Sequence, residues 1–378
     1  MNRRARLDGL LLLAALSLVA FGLPMVFSAS AVLAANQGHE STFFFRRQCV
    51  RGAIGLLAMV AAYKLGPERL RRFAPAILIG VGGLLVVLLI PWLRGNSVRG
   101  TFRWIQAFGL NLQPAEPAKL ALVLHLSRIL ARRGAAIATW HGLSAPLVLL
   151  LAVAGLVALQ PNLGTAMAIG LTGLGLFFAA GARIWHLGSV ALACAMAGLF
   201  RVQQVPYEAE RLRSFLNGAD TQGSGYQLHQ SLIALGSGGL FGQGLGEGMQ
   251  KFLFLPDPHT DFIFAIVGEE GGFALAVLVL GAYALLIGRA LSIAAAQPSR
   301  FGALTASGVA LMLAVHVLLN LAVVTGLAPT TGLPLPFMSY GGSSLVVNLA
   351  AVGILLRLSA ERIPSPRPLA EEVTAGVA

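Results

Sequence analysis

The sequence predicts an all-α polytopic membrane protein of about ten transmembrane helices, with one large extracytoplasmic loop between helices seven and eight. Three observations predict it. The 378 residues are 56% hydrophobic and 11% charged, whereas a soluble domain carries about 25% charged residues. Apolar runs near membrane length recur along the whole chain. No long polar stretch remains from which a separate soluble domain could be built. Residues 1–361 are therefore expected to form one membrane domain, followed by a polar cytoplasmic tail at 362–378.

The N-terminus pairs a positive start with an apolar run, as a signal peptide does. The run is about 20 residues, which suits an uncleaved first span better. The expected cores are Leu10–Ser28, Gly52–Leu65, Phe73–Trp92, Pro117–Ala131, Leu143–Leu159, Leu163–Gly181, Trp185–Phe200, Phe262–Leu291, Leu304–Gly326 and Ser339–Leu358. Several are shorter than a straight span needs, so neighbours or loop helices are expected to complete them.

Basic residues set the orientation. An inside N-terminus puts Arg3, Arg4, Arg6, the Lys64–Arg72 group, the Arg128–Arg133 group, Arg183, Arg289, Arg300 and the Arg357–Arg367 group inside. Both termini are then cytoplasmic and the protein sits in the cytoplasmic (inner) membrane. Arg46, Arg47 and Arg51 fall in the first outer loop. Arg94, Arg99, Arg103 and Lys119 fall around the second, and Arg201, Arg211, Arg213 and Lys251 in or near the long loop. Outer basic residues run against the usual bias and read either as headgroup contacts or as functional groups.

The net charge of +12 is scattered between apolar runs. Basic and aromatic residues do not interleave as a nucleic-acid surface requires, so nucleic acid is not an expected partner. Cys49 and Cys194 have no His or Cys at metal-ligand spacing and read as buried small apolar residues.

The long loop, 201–259, contains a helix-like stretch, YQLHQSLIAL, then GSGGLFGQGLGEG, in which seven of thirteen residues are Gly. Such a run either hinges or lets backbone approach a ligand closely. It lacks the lysine and the βαβ setting of a P-loop.

Three segments carry candidate chemistry. In KFLFLPDPHTDFIFAIVGEEGGF, His259, Thr260 and Asp261 form a polar knot where the eighth apolar helix opens. Asp261 is either a helix cap or a working carboxylate. Ala265, Gly268 and Gly272 form a small-residue stripe below it, for a packed helix or a lipid chain. Glu269 and Glu270 lie deeper, where ionisable groups are costly and default to paired or functional roles. In RGTFRWIQAFGLNLQPAEPAKLAL, Arg103 and Trp104 suit the membrane interface, while Glu116 and Lys119 share one helix face. In GLAPTTGLPLPFMSYGGSSLVVN, Pro329, Pro334 and Pro336 impose an extended loop. Ser339 to Ser344, Ser343 among them, then either receive an anion on their backbone amides or pack closely.

Taken in order, these blocks resemble the SEDS family of cell-wall polymerases, which includes FtsW, RodA and SpoVE. The resemblance rests on MVFSAS (Met25–Ser30), RWIQAFGLNLQPAEPAKL, QPNLGTA (Gln160–Ala166), the block from Gly225 to Phe273, and LPLPFMSYGGSS. QSLIALGSGG and the Gln250–Lys251 pair are more FtsW-like than RodA-like. Asn162 stands where the family usually has Asp, and Gly271 where it usually has Leu. The resemblance implies a peptidoglycan glycosyltransferase that polymerises lipid II on the outer face of the membrane, at the septum in cell division. A lipid II flippase and a division scaffold without chemistry are the alternatives. Asp261 corresponds to the family's essential aspartate, with Asp257 a weaker rival. Arg103, Arg211 and Lys251 are candidates for pyrophosphate contact. Trp104, Glu116, Lys119, His259, Thr260 and Ser343 complete the candidate substrate surface. The resemblance further implies a divalent cation, Mg²⁺ or Mn²⁺, a class B penicillin-binding transpeptidase as partner, and other division proteins.

Overall fold

The structure, a computed structural model, describes residues 7–90, 103–107, 110–216 and 224–361. Arg94, Arg99, Trp92 and the tail 362–378 lie outside those residues. The elements are α1 (Gly9–Asn36), α2 (Phe43–Val87), β1 (Ile105–Ala107), β2 (Leu110–Leu112), α3 (Ala115–Arg133), α4 (Trp140–Leu159), α5 (Leu163–Ala179), α6 (Ile184–Gln204), α7 (Pro206–Leu216), α8 (Ser224–Ser237), α9 (Ile263–Ala295), α10 (Arg300–Val324) and α11 (Gly342–Ala360).

Seven of these helices are long and apolar enough to cross a membrane. One of them, α2, has 45 residues, roughly twice what a bilayer needs. It reverses at Gly66, whose φ of 72° and ψ of 160° are not helical and which precedes Pro67. Before the bend, Gly52, Gly55 and Met59 run down α11 past Leu345, Leu349 and Gly353. After it, the Leu85 carbonyl is back at the top of α4, accepting from Gln160 at 2.9 Å. Two arms of α2, the 17-residue α5 and the charged α3 complete the ten expected spans. Their ends agree: Asp8, before the first span, accepts from Arg289 at 2.7 Å and donates its amide to Ser359 Oγ at 3.1 Å, so the first span starts on the face where the last one ends.

Two apolar clusters hold the bundle. One joins α1, α9, α10 and α11; the other joins α3, α4, α5 and the second arm of α2. Large apolar side chains such as Leu57, Ile79, Phe178 and Trp185 point away from both, as lipid-facing surface should. Most of α6 is exposed in this way. Cys194 on α6 is exposed and Cys49 half-buried, so neither is the buried packing residue the sequence suggested.

Other features depart from the sequence reading. Residues 105–112 form a two-stranded antiparallel ribbon with Gln106 opposite Asn111, a small exception to the all-α expectation. The long loop contains α7 as well as the expected helix, here α8. Arg46, Arg47 and Arg51 lie within the first turns of α2, not in a loop.

The glycine-rich stretch is not a free connector; it repairs a break in α9. Gly272 has φ 66°, so the helix cannot close its own bonds there. Instead Gln243 and Gly244 donate to the Glu269 and Glu270 carbonyls at 3.0 Å each. Phe273 and Ala274 donate in turn to Gly239 (2.9 Å) and Leu240 (3.0 Å). Backbone groups freed at membrane depth must find such partners. The small-residue stripe serves the same packing, since Gly268 seats Leu235 and Gly238.

Candidate active site

The Pro256–Pro258 bend ends the long loop. Asp257 has φ 50°, and its carbonyl accepts from Thr260 N at 3.1 Å and Thr260 Oγ1 at 2.9 Å. The turn delivers Asp261 one residue short of the helix. The N-cap of α9 is Phe262, whose own side chain makes no cap bond. Asp261 therefore stands one position before the N-cap residue.

Loops from three other elements converge on it. Asn320 of α10 donates its amide to the Asp261 carbonyl at 2.7 Å and to the Leu333 carbonyl at 2.8 Å. Arg211 of α7 donates Nη1 to the Thr330 carbonyl at 3.0 Å. A Cβ on Gly332 would stand 3.6 Å from Asp261 Oδ2 and 4.0 Å from Arg211 Nη1. Carboxylate and guanidinium thus flank the same glycine, which also has φ 73°. The next loop joins in: a Cβ on Gly164 would meet Thr331, and Arg103 bonds the Pro161 carbonyl. Trp104 lies half-buried beside Arg103. Asn162 is buried at the N-cap of α5 and makes no cap bond, and its Nδ2 has no partner.

His259 is buried between Phe44 (4.8 Å between ring centroids) and Tyr340 (5.3 Å). Its carbonyl accepts from Tyr340 N at 2.8 Å. Ser343 Oγ accepts from Gln113 N at 2.9 Å, tying the β-ribbon to α11. The amides of Tyr340 and Gln113 thus clamp the 326–341 loop and the ribbon around the Asp261 end of the bundle.

Two buried charge clusters stand behind this face. Glu116 and Lys119 pair at 2.9 Å, both almost wholly buried. The pair has a third member that the sequence reading missed: His316 of α10, whose Nε2 lies 2.6 Å from Lys119 Nζ. His316 and Asn320 are one turn apart, so one face of α10 touches both the ion pair and the Asp261 backbone. The signal was present as two polar residues inside an apolar span. The second cluster takes Lys251 out of the candidate pyrophosphate surface. Its Nζ pairs with Glu270 at 3.0 Å, bonds Ser28 Oγ at 3.3 Å and the Gly246 carbonyl, and is 6% exposed. A charge already matched by a buried carboxylate has little left for a ligand. Glu269 accepts from Met249 N at 2.7 Å and Gln250 N at 3.1 Å, so both glutamates anchor the loop.

Among the described residues no three His, Cys, Asp or Glu side chains converge as a metal cage.

The fold and this face define a polytopic membrane protein with a carboxylate and a guanidinium at one end of its bundle. Residues 8–363 match the family described as Cell cycle protein, spanning FtsW, RodA and SpoVE, and the chain belongs to it. It is 41% identical over 361 residues to a probable peptidoglycan glycosyltransferase FtsW of Trichlorobacter lovleyi, covering 95% of this chain and 94% of that one. It is also 41% identical to stage V sporulation protein E of Bacillus subtilis over 357 residues, 93% and 96% of the two chains. Among solved structures, a chain from work on coordinated polymerization and crosslinking by a peptidoglycan synthase complex matches with TM-score 0.78 and 31% identity, covering 94% of this chain and 98% of that one.

Proposed function

We propose that this chain is a peptidoglycan glycosyltransferase that polymerises lipid II on the outer face of the cytoplasmic membrane, in septal synthesis. The observation that carries the reading is that the Asp261 carboxylate and the Arg211 guanidinium both approach the same side of Gly332, at 3.6 and 4.0 Å from its Cβ position. The transfer needs a base for the attacking hydroxyl and a cation for the departing diphosphate. Asp261 takes the proton as the sugar oxygen bonds the anomeric carbon with inversion. The bond from that carbon to the diphosphate oxygen breaks, and the polyprenyl diphosphate leaves. Arg211 and Arg103 lie at the same end of the bundle to meet the negative charge.

The membrane domain is residues 1–361. Trp104, His259, Thr260 and Ser343 serve as the wall of the site, and the Glu116–Lys119 pair holds its floor. A Mg²⁺ or Mn²⁺ ion would be held chiefly by substrate phosphates with one carboxylate; assay with and without chelator tests that need. A class B penicillin-binding transpeptidase is the proposed partner, in keeping with the synthase complex from which the similar chain comes. Co-purification from the native membrane tests it, and failure to recover such a protein while other division proteins are retained would count against it. The defining experiment is conversion of lipid II to glycan polymer by purified protein with its partner. Detergent removes the two compartments, so a flippase gives no signal there and a polymerase does.

A further inference from the structure

Among the described residues, no carboxylate balances the charge of Arg51. This arginine lies on the first arm of α2, 7% exposed. Its guanidinium packs on the Tyr340 ring with Cζ 4.6 Å from the centroid. A Cβ on Gly342 would stand 2.6 Å from Arg51 Nε and 2.9 Å from Cζ. Gly342 is the first residue of α11. The cation therefore rests against a helix N-terminus, where first-turn amides have no intrahelical acceptor and the dipole is positive. No hydrogen bond or carboxylate meets Arg51 among the described residues, and its buried Nη1 has no partner. An uncompensated buried charge costs several kcal/mol, and a positive helix end adds to the cost. An anion between guanidinium and amides removes both costs.

We propose that Arg51 and the first-turn amides of α11, at Gly342, Ser343 and Ser344, form a binding site for a diphosphate ester. The site is continuous with the Asp261 face. Arg51 covers the Tyr340 ring, Tyr340 N bonds the His259 carbonyl, and Asp261 follows two residues later. Tyr340 and Gly341 are half-buried, so this edge opens outward. A diphosphate suits the site because a forked guanidinium and a row of amides engage its oxygens together. The choice of a polyprenyl diphosphate as source rests on the glycosyltransferase reading. It adds a subsite that the Arg103, Arg211 and Lys251 assignments did not contain.

The test uses the full chain in detergent and a radiolabelled polyprenyl diphosphate, with inorganic pyrophosphate as competitor. Wild type should bind saturably and be competed by pyrophosphate. Arg51→Gln should bind roughly ten- to a hundredfold more weakly with no loss of melting temperature, since it removes an uncompensated charge. Arg51→Lys, which keeps the charge but loses the fork, should weaken binding severalfold and covers the case in which Arg51→Gln fails to fold. Pyrophosphate binding as tightly as the lipid would still place the site at Arg51, with the diphosphate alone as its determinant. Wild-type affinity in the Arg51 variants would overturn the proposal. Asp261→Asn should bind within a few-fold of wild type yet form polymer roughly 10²–10⁴-fold more slowly. Binding without polymerisation by wild type would sink the enzymatic reading and leave the site standing; polymerisation with Arg51-independent binding would do the reverse.

Discussion

Asn320 of α10 fixes the backbone of Asp261: one amide group reaches the carbonyls of Asp261 and Leu333 at 2.7 and 2.8 Å. The proposed base is thereby tied to the loop that carries Gly332, and through it to Arg211. Replacing Asn320 by Ala leaves two carbonyls without their donor. A misplacement of about 1 Å can cost roughly a hundredfold in rate. Asn320→Ala should lower turnover by about that order and change KM only a few-fold. Steady-state kinetics on lipid II would show it. A change in KM alone would mean that Asn320 shapes binding and does not position the carboxylate.

The Glu116–Lys119–His316 cluster predicts a stability rescue. Lys119→Met leaves the Glu116 carboxylate buried and unmatched, at a cost of roughly 3–5 kcal/mol. Adding Glu116→Gln removes the stranded charge. Thermal melting in detergent should show a large loss in the single variant and partial recovery in the double. No recovery would mean that Lys119 is needed for something other than this pair.

Two glycines of α9 should behave oppositely. A Cβ on Gly272 would lie 2.3 Å from Gly242 N and 2.7 Å from the Leu240 carbonyl carbon, at φ 66°. Gly281 has nothing within 4 Å of its Cβ position. Gly272→Ala should break the exchange of bonds between α9 and residues 239–244, with a clear loss of folded yield and melting temperature. Gly281→Ala should be neutral, or stabilising by about 0.5–1 kcal/mol. Equal behaviour of the two would contradict the stitched break.

The ten spans were legible because length and hydropathy are local properties. Even α3 was found, since its charges fall near its ends and one face stays apolar. The site was legible only in part. The turn at Pro256–Pro258 marks where Asp261 emerges, but which cation faces it depends on α7, whose polar sequence gives no apolar run. The Gly-rich stretch showed backbone freedom; that its amides would serve Glu269 and Glu270 is a tertiary fact. Lys251 read as a free loop cation because its partners, Ser28 and Glu270, are remote in sequence. His316 and Asn320 were visible as polar residues within a span, and their i, i+4 spacing was the missed signal. Arg51 was visible too, but the chain gave no sign that it would meet the start of α11.

Orientation follows from basic residues and is open to direct test. In a variant lacking Cys49 and Cys194, a cysteine at the exposed Glu210 of α7 should react with a membrane-impermeant thiol reagent in intact spheroplasts. A cysteine at the exposed Arg71, near the reversal of α2, should react only after lysis. The opposite pattern would invert the proposed topology and move Asp261 to the cytoplasmic face.

The catalytic role of Asp261 is tested most directly by Asp261→Asn. Asn caps a helix about as well as Asp, and the backbone bond from Asn320 does not depend on the side chain, so the amide should leave the fold intact. What it cannot do is accept the proton, and loss of a general base costs roughly 10²–10⁴-fold in rate. Glycan formation from lipid II should be measured with wild type and Asp261→Asn matched for amount, melting temperature and partner binding. A fall of that size is the expected result. Activity within a few-fold of wild type would contradict the assignment of Asp261 as the base.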